Sequence, residues 1–548
     1  MTQSVWRLWS LILLFSAAIP RLSAAPNITS VGNAASNLTF NAPIAQGAIF
    51  VIKGSGLGPA NISFAPAAFQ STSLSGTSVS VTSGTTTVKA LMYYTSDGQV
   101  AALLPSNTPT GGASFTLTYN GQTSNSLSHG VSPSSVGIFT IDSSGQGPGI
   151  VTYADYSLVS ANKATPCGGP NTACGAANPG DTLILWATGL GPVNGDDATG
   201  AGLGQSMPNV ALTLWLGGVQ APVSYQGRSG CCIGEDQIVF AVPNNVPTGC
   251  SVPLVVQVGT NANTISNTTF MPVAKGSRDC TPLNAAEAAL SNPLAILTGP
   301  VPFADISMEK DVANGGGFQD QASVVIGKAP VSNPAYEPFF LSFNDQLPPG
   351  TCVVYNSLDP SSDPPLGQFV LLDGGSSFTV KGPKGSVALN GSTGDNVTLS
   401  ASGTFLGPGS YTVTGTGGKD IGSFSATLTI PATPTLTSPT PSNNAPVTRS
   451  NGLTVTWTGG DPNAYVEILV TSALDNTFNL GDTARCRVAA SAGTFTIPPY
   501  VMLAIPAGNF GGFLFLNSEV AAPFTATGLT LGNFHTRGVI TSLGFVLK

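Results

Sequence analysis

Charged side chains are scarce in this chain. Lys plus Arg number 18 and Asp plus Glu 26, together 8% of 548 residues, where about 25% is usual. So few cations under a net charge of −8 exclude a nucleic-acid binder, which needs Lys and Arg against phosphate. Only two histidines occur, which leaves little for His-based triads or His-rich metal sites. Gly-x-Ser-x-Gly, His-Glu-x-x-His, Walker and EF-hand patterns are missing. His129 and His535 sit in no motif, so both read as surface or turn residues. Beyond the N-terminus no run is long and apolar enough to span a membrane.

What the chain has is glycine (66), proline (43) and 42% hydrophobic residues. That combination is too apolar for a disordered tail and reads as many short strands joined by tight turns. At roughly 100 to 200 residues per domain, the length implies several all-β units rather than one core. Arg7, the apolar run Leu8 to Ile19 and the small residues of Leu22-Ser-Ala-Ala25 read as a secretory signal peptide, residues 1–25. Cleavage after Ala25 satisfies the small-x-small rule but puts Pro26 after the cut, and cleavage after Ala24 is an equal alternative. The expected location is secreted or at the cell surface.

Eight cysteines in an exported chain point to disulfides. Cys167 and Cys174 flank Gly168, Gly169 and Pro170, which suits a small stapled loop. Adjacent cysteines rarely bond to each other, so Cys231 and Cys232 are expected to reach Cys250 and Cys280, in either order. Cys352 and Cys486 either pair across domains or stay as buried thiols.

An internal repeat organises the first half. Residues 47–59, GAIFVIKGSGLGP, match residues 180–192, GDTLILWATGLGP, at an offset of 133. Gln99-Val-Ala-Ala-Leu-Leu-Pro105 with Pro109-Thr-Gly111 recurs as Gln237-Ile-Val-Phe-Ala-Val-Pro243 with Pro247-Thr-Gly249, at an offset of 138. Residues 27–135 and 136–276 are therefore read as two copies of one β-sandwich. Side chains alternate faces along a strand, so Phe50, Ile52, Leu183 and Leu185 point into the cores. Lys53 and its counterpart Trp186 then face outward, because burying an unpaired ammonium is costly. Trp186 is expected to pack on a neighbouring domain or on the Cys167–Cys174 loop, with a ligand platform as the alternative. Gln99 and Gln237 should occupy the same place and bond backbone groups of a nearby loop.

The Gly-led strand ending in Gly-Leu-Gly resembles the IPT/TIG immunoglobulin-like fold. Gly180 to Pro192 with Asp236-Gln237-Ile238 and Val242-Pro243 is similar to the uncharacterised C-terminal-type domain of secreted acidobacterial proteins. The resemblance covers about residues 27–275. The first copy departs from it where Gly98 replaces the Asp before its Gln. It implies export and a β-rich fold, and supplies no activity and no catalytic residues.

In the second half, Leu283 to Leu290 predicts a short helix, and spaced apolar runs from Phe339 to Ile430 predict a third sandwich, residues 282–431. Residues 432–445, with the Pro-rich run from Pro431 to Pro441, read as a stiff linker. The alternation of Leu453, Val455 and Trp457 with threonines opens a fourth, fibronectin- or immunoglobulin-like sandwich, residues 446–548. The densest carboxylate pairs, Asp196-Asp197 and Glu235-Asp236, read as solvated loop charge, with loop calcium at Asp196 and Asp197 as the minor alternative.

No cofactor and no catalytic residue is assigned. The leading expectation is a non-enzymatic extracellular protein acting in attachment, matrix or glycan binding, its partners glycans or cell-surface components. The alternatives are a secreted polysaccharide-active hydrolase with accessory sandwiches and a subunit of an extracellular assembly.

Overall fold

A computed structural model of the chain describes residues 24–38, 42–66, 70–161, 167–170, 172–259, 264–280, 300–312, 318–330, 347–356, 370–389, 396–440, 445–473, 481–507, 512–538 and 542–548. The expected helix at Leu283 to Leu290 and nearly all of the expected signal segment lie outside these residues. The chain is all-β. Among the described residues a short α-helix, α1, spans Pro499–Ala504, and no helix is long and apolar enough to cross a membrane.

Sandwich I pairs Asn27–Asn33, Ile49–Ser55, Gln99–Leu103, Leu91–Thr95 and Ser63–Phe64 in one sheet. Its second sheet runs Ile44–Ala45, Leu127–Ser132, Gly111–Tyr119, Thr77–Ser83 and Thr86–Lys89. Phe50 and Ile52 from the first sheet meet Val79, Phe115 and Leu117 from the second, with Phe50 edge-on to Phe115 at 5.5 Å. Sandwich II repeats the plan. Gly137–Ile138, Thr182–Thr188, Asp236–Ala241 and Val223–Arg228 face Thr269–Val273, Gly249–Val258, Leu212–Leu216 and Val219–Ala221, and Leu183 and Leu185 are fully buried.

The two sandwiches keep the same strand register. Phe50 pairs Ala102 and Lys53 pairs Gln99, while Leu183 pairs Phe240 and Trp186 pairs Gln237. Each next strand carries a bulge just before a tyrosine, Tyr94 opposite Ala101 and Tyr225 opposite Val239. The Gln99 amide donates to the Tyr94 hydroxyl and so serves a side chain on its own sheet, not the loop backbone expected for it.

The second half departs from two successive sandwiches. One 11-stranded sheet runs Thr351–Tyr355, Gly481–Ala489, Tyr465–Ala473, Gly512–Pro523, Leu531–Gly538, Pro300–Val312, Phe318–Pro330 and Val370–Leu371, with three further strands at its margins. Strands from 282–431 and 446–548 are interleaved in it, through parallel pairing of Phe303 to Lys310 with Leu531 to Gly538. Alternation fixes which face a strand buries but not which strand it joins, so the boundary expected at 432–445 is not a boundary of the sheet.

Two smaller sheets cover this long one. Gly385–Leu389, Phe378–Gly382, Gly409–Gly415 and Phe424–Ile430 close a core of Ile306, Met308, Ile326, Phe534, Tyr411 and Val413. Pro434–Ser438, Leu453–Gly459 and Thr494–Ile497 close another around Val455, Trp457, Ile468 and Leu516. The presumed linker thus supplies an edge strand. Pro434 stands at its first position, where a missing N–H is tolerated.

Sandwich II docks on this half through Trp215, stacked on Tyr500 of α1 at 4.6 Å, and through Val255, its register partner. The unbroken apolar run Val252 to Val256 marks a strand buried on both faces. Cys352 and Cys486 are register partners on adjacent strands and form a disulfide across 134 residues. Closing so long a loop constrains the unfolded chain, so replacing both cysteines with Ala should lower unfolding stability by roughly 2–5 kcal/mol, measured by urea denaturation. Trp215→Ala should cost about 2–4 kcal/mol and open new protease cuts between sandwich II and α1.

Candidate functional site

The densest carboxylates converge on the junction of sandwiches I and II. Arg228 ends one strand and Asp236 begins the next, directly opposite in register. Arg228 Nη1 donates to Asp236 Oδ1 at 2.6 Å, with the side chains 1% and 0% exposed. Arg228 Nη2 donates to Gly191 O at 2.9 Å, and Leu190 N–H donates to Asp236 Oδ2 at 2.8 Å. Sandwich I closes on this pair with Gly47, where a Cβ would stand 2.7 Å from Arg228 Nη2. Desolvation pushes the Asp236 carboxyl up to about 6, against the opposing pull of Arg228 and the Leu190 and Gly189 amides. The first copy has Gly98 at the matching position, so this pair belongs to the second copy alone. That Asp-for-Gly difference was the visible sequence signal of a role peculiar to sandwich II.

Asp197 also bridges the sandwiches. It accepts from Ser106 N–H at 2.7 Å and from Ser106 Oγ at 3.0 Å. Asp196 instead caps the 3-10 turn Asp197–Thr199, accepting from Ala198 N–H at 3.0 Å. Their oxygens serve different elements, which removes the reason to read them as a joint calcium site. Asp197 and Asp236 are buried, a correction to solvated loop charge. The contact is completed by Thr188 Oγ1, which accepts from Ile49 N–H and donates to Gly234 O at 2.6 Å, and by an apolar cluster of Leu91, Leu103 and Ile233.

The cysteines are joined differently from the expected pattern. Cys167 bonds Cys174, Cys250 bonds Cys280, and adjacent Cys231 and Cys232 bond each other. Cys250 and Cys280 are buried together with Ala161, Ala176 and Ala274, whereas Cys231 lies exposed on the junction loop. The tertiary fold therefore keeps the two groups apart and leaves the adjacent cysteines only each other.

Trp186 faces outward, and its described partners belong to sandwich II. Its Nε1 donates to Thr152 Oγ1 at 3.0 Å, and its ring lies 6.1 Å from that of Tyr156. The turn bearing Tyr156 reaches the Cys167–Cys174 loop through Asp155, which accepts from Gly169 N–H at 3.2 Å. The expected packing on a neighbouring domain falls instead to Trp215. The sequence signal for that was its place opposite Leu214 and Leu216 beside the doubly buried 252–256 run.

Neither histidine sits in a turn, and both are at least half-buried. His129 lies on the Leu127–Ser132 strand with Nε2 3.0 Å from Ala42 O, and desolvation lowers its pKa. His535 is buried with Nε2 3.2 Å from Asp305 Oδ2. Other buried carboxylates are similarly engaged: Glu467 with Arg485 and Asn517, and Asp320 with Lys310 and the amides of Phe405 and Leu406.

No family model matches this chain, and no curated protein does. Among solved structures it is similar to domains 5–6 of the S-layer protein SbsC, with 11% identity, covering 46% of this chain and 100% of that one, TM-score 0.17. It is similar to domains A168–A170 of titin, with 11% identity, 71% and 92% coverage, TM-score 0.13. It is also similar to the Bacteroides ovatus mixed-linkage glucan utilization locus protein SGBP-B, with 12% identity, 77% and 86% coverage, TM-score 0.14. At these scores none of them carries a functional argument.

Arg228→Ala leaves a buried carboxylate unpaired and should destabilise sandwiches I and II by about 3–5 kcal/mol, measured by calorimetry. Asp236 has a folded-state pKa above its unfolded value, so its ionisation opposes folding at pH 7, and that opposition fades as pH falls through about 6. From pH 7 to 4 the native protein should gain roughly 2–3 kcal/mol relative to Asp236→Asn.

Proposed function

We propose that the protein is a non-catalytic, extracytoplasmic binding protein, secreted or held at the cell surface, whose sandwiches I and II present aromatic platforms to polysaccharide. On this reading residues 27–135 and 136–276 are IPT/TIG-like domains of the secreted acidobacterial type. The observation that carries the binding role is the outward face that the two copies share. Lys53, Gln99 and Tyr94 occupy the same register as Trp186, Gln237 and Tyr225. Each row ends in an exposed ring. Phe64 is 65% exposed and edge-on to Tyr94 at 5.9 Å, and Tyr156 is 49% exposed beside Trp186.

Tyr156 supports the reading independently. It takes φ 64°, a left-handed conformation that a bulky residue adopts at a cost. A turn selected for stability alone would carry Gly or Asn there. Rings beside amides suit sugars, whose faces are apolar and whose edges bear hydroxyls. The buried carboxylates described above meet cations or amides rather than a facing carboxylate across a cleft, as glycoside hydrolysis requires.

The test is a screen of the full chain against insoluble polysaccharides and isolated cell envelopes. Retention without release of reducing ends is expected, and release would replace this reading with a hydrolase. Tyr156→Gly should keep or slightly raise thermal stability while weakening binding about tenfold or more, and Phe64→Ala should weaken it similarly. Unchanged affinity in both would sink the platform.

A further inference from the structure

The segment from Ser229 to Asp236 crosses the junction of sandwiches I and II, and besides the Cys231–Cys232 bond it is held by backbone bonds that do not involve sulfur. Ser229 N–H donates to Glu235 O at 2.8 Å, and Glu235 N–H to Cys232 O at 3.4 Å. Gly234 takes φ 78°, the left-handed turn that brings Glu235 back over the preceding cysteines. The loop is also pressed on sandwich I: a Cβ on Gly234 would stand 2.5 Å from Leu103 Cδ1, and the Tyr93 hydroxyl donates to Ile233 O.

The Cys231–Cys232 bond and this closure together gather three ligand atoms. Cys231 Sγ, Cys232 Sγ and a Glu235 carboxylate oxygen all lie within 4.8 Å of one another. Cys231 is exposed and Cys232 half-buried, so an external thiol can reach their bond. Cys250, Cys280, Cys352 and Cys486 are 0 to 5% exposed, which shields the other two long-range bridges.

We propose that Cys231, Cys232 and Glu235 form a redox-gated site for a thiophilic divalent cation. In the oxidised state the sulfurs bond each other and no thiolate is offered. A dithiol reductant supplies two electrons and two protons. Its own thiols become a disulfide, the Cys231–Cys232 bond breaks, and one proton ends on each sulfur. The cation then displaces both thiol protons to solvent and takes two thiolates and the Glu235 carboxylate, a set suited to zinc or cadmium. The backbone bonds of Ser229, Cys232 and Glu235 do not involve sulfur, so reduction leaves them in place and keeps Glu235 beside the two cysteines.

The experiment uses the full chain with Cys167→Ser and Cys174→Ser, which removes the other exposed sulfur. After limited dithiothreitol treatment and removal of the reductant, cadmium is titrated and the ultraviolet thiolate-to-cadmium band is followed, with alkylation and peptide mapping to locate reduced cysteines. One cadmium per chain is expected after reduction and none before it. Adding Cys231→Ser and Cys232→Ser should abolish the band without changing the near-ultraviolet dichroism, and Glu235→Gln should weaken affinity about tenfold. Three results would overturn the site: no band when mapping shows Cys231 and Cys232 reduced, a band that persists in the double serine variant, or full binding before reduction. Equal affinity in Glu235→Gln would remove Glu235 as a ligand and with it the three-residue site.

Discussion

Phe303 to Lys310 lie in parallel register with Leu531 to Gly538, and the whole second half of the molecule depends on that pairing. A parallel pair cannot be closed by a tight turn, so everything between the two strands must be accommodated as a crossover. What lies between includes the small sheet over Ile306 and Met308 and the strands carrying the second core. Two sandwiches thereby share one continuous sheet. The Cys352–Cys486 bond fixes the far end of that sheet, and Trp215 reaches the same end from sandwich II.

A chain with so few charges places several of them inside. Arg228–Asp236, Lys310–Asp320 and Glu467–Arg485 are ion pairs with at least one wholly or nearly buried member. Such pairs add little net stability because desolvation offsets attraction, but breaking one is costly. Their value here is positional. Arg228 and Asp236 can satisfy each other, Gly191 and Leu190 only in one arrangement of the loops that sandwich I covers. The junction is set by directional bonds, with the small apolar cluster of Leu91, Leu103 and Ile233 sealing it.

The duplicated half shows how one scaffold diverges at its surface. Inward positions stay apolar in both copies, because a sandwich core tolerates little else. Outward positions keep the tyrosine and glutamine but exchange Lys53 for Trp186. The ends differ more, with Phe64 on a short edge strand of one copy and Tyr156 on a strained turn of the other. Where binding energy is to be gained on such faces, those ends are where the copies can differ in specificity.

Much of the fold was legible from local pattern. The period of two in Phe50 and Ile52, and again in Leu183 and Leu185, fixes which side chains enter a core, and the Gly-Leu-Gly turns fix where those strands stop. Matching offsets placed Gln99 and Gln237 at one register position, since duplicated strands keep their pairing. The candidate sites were less legible. Adjacency argued against a Cys231–Cys232 bond, but which sulfurs meet depends on the burial of Cys250 and Cys280 elsewhere. His535 reads as a loop residue until Asp305, 230 positions away, is brought beside it. The run after Pro431 reads as a linker until Leu453–Gly459 offers it a partner edge. The sequence by itself determined strand faces, turns and the duplication, because these arise from bonds and sterics within a few residues. Strand partners, the shared sheet and the junction of sandwiches I and II were decided only by the tertiary structure, because backbone hydrogen bonds between strands are the same for any sequence and only packing selects among them.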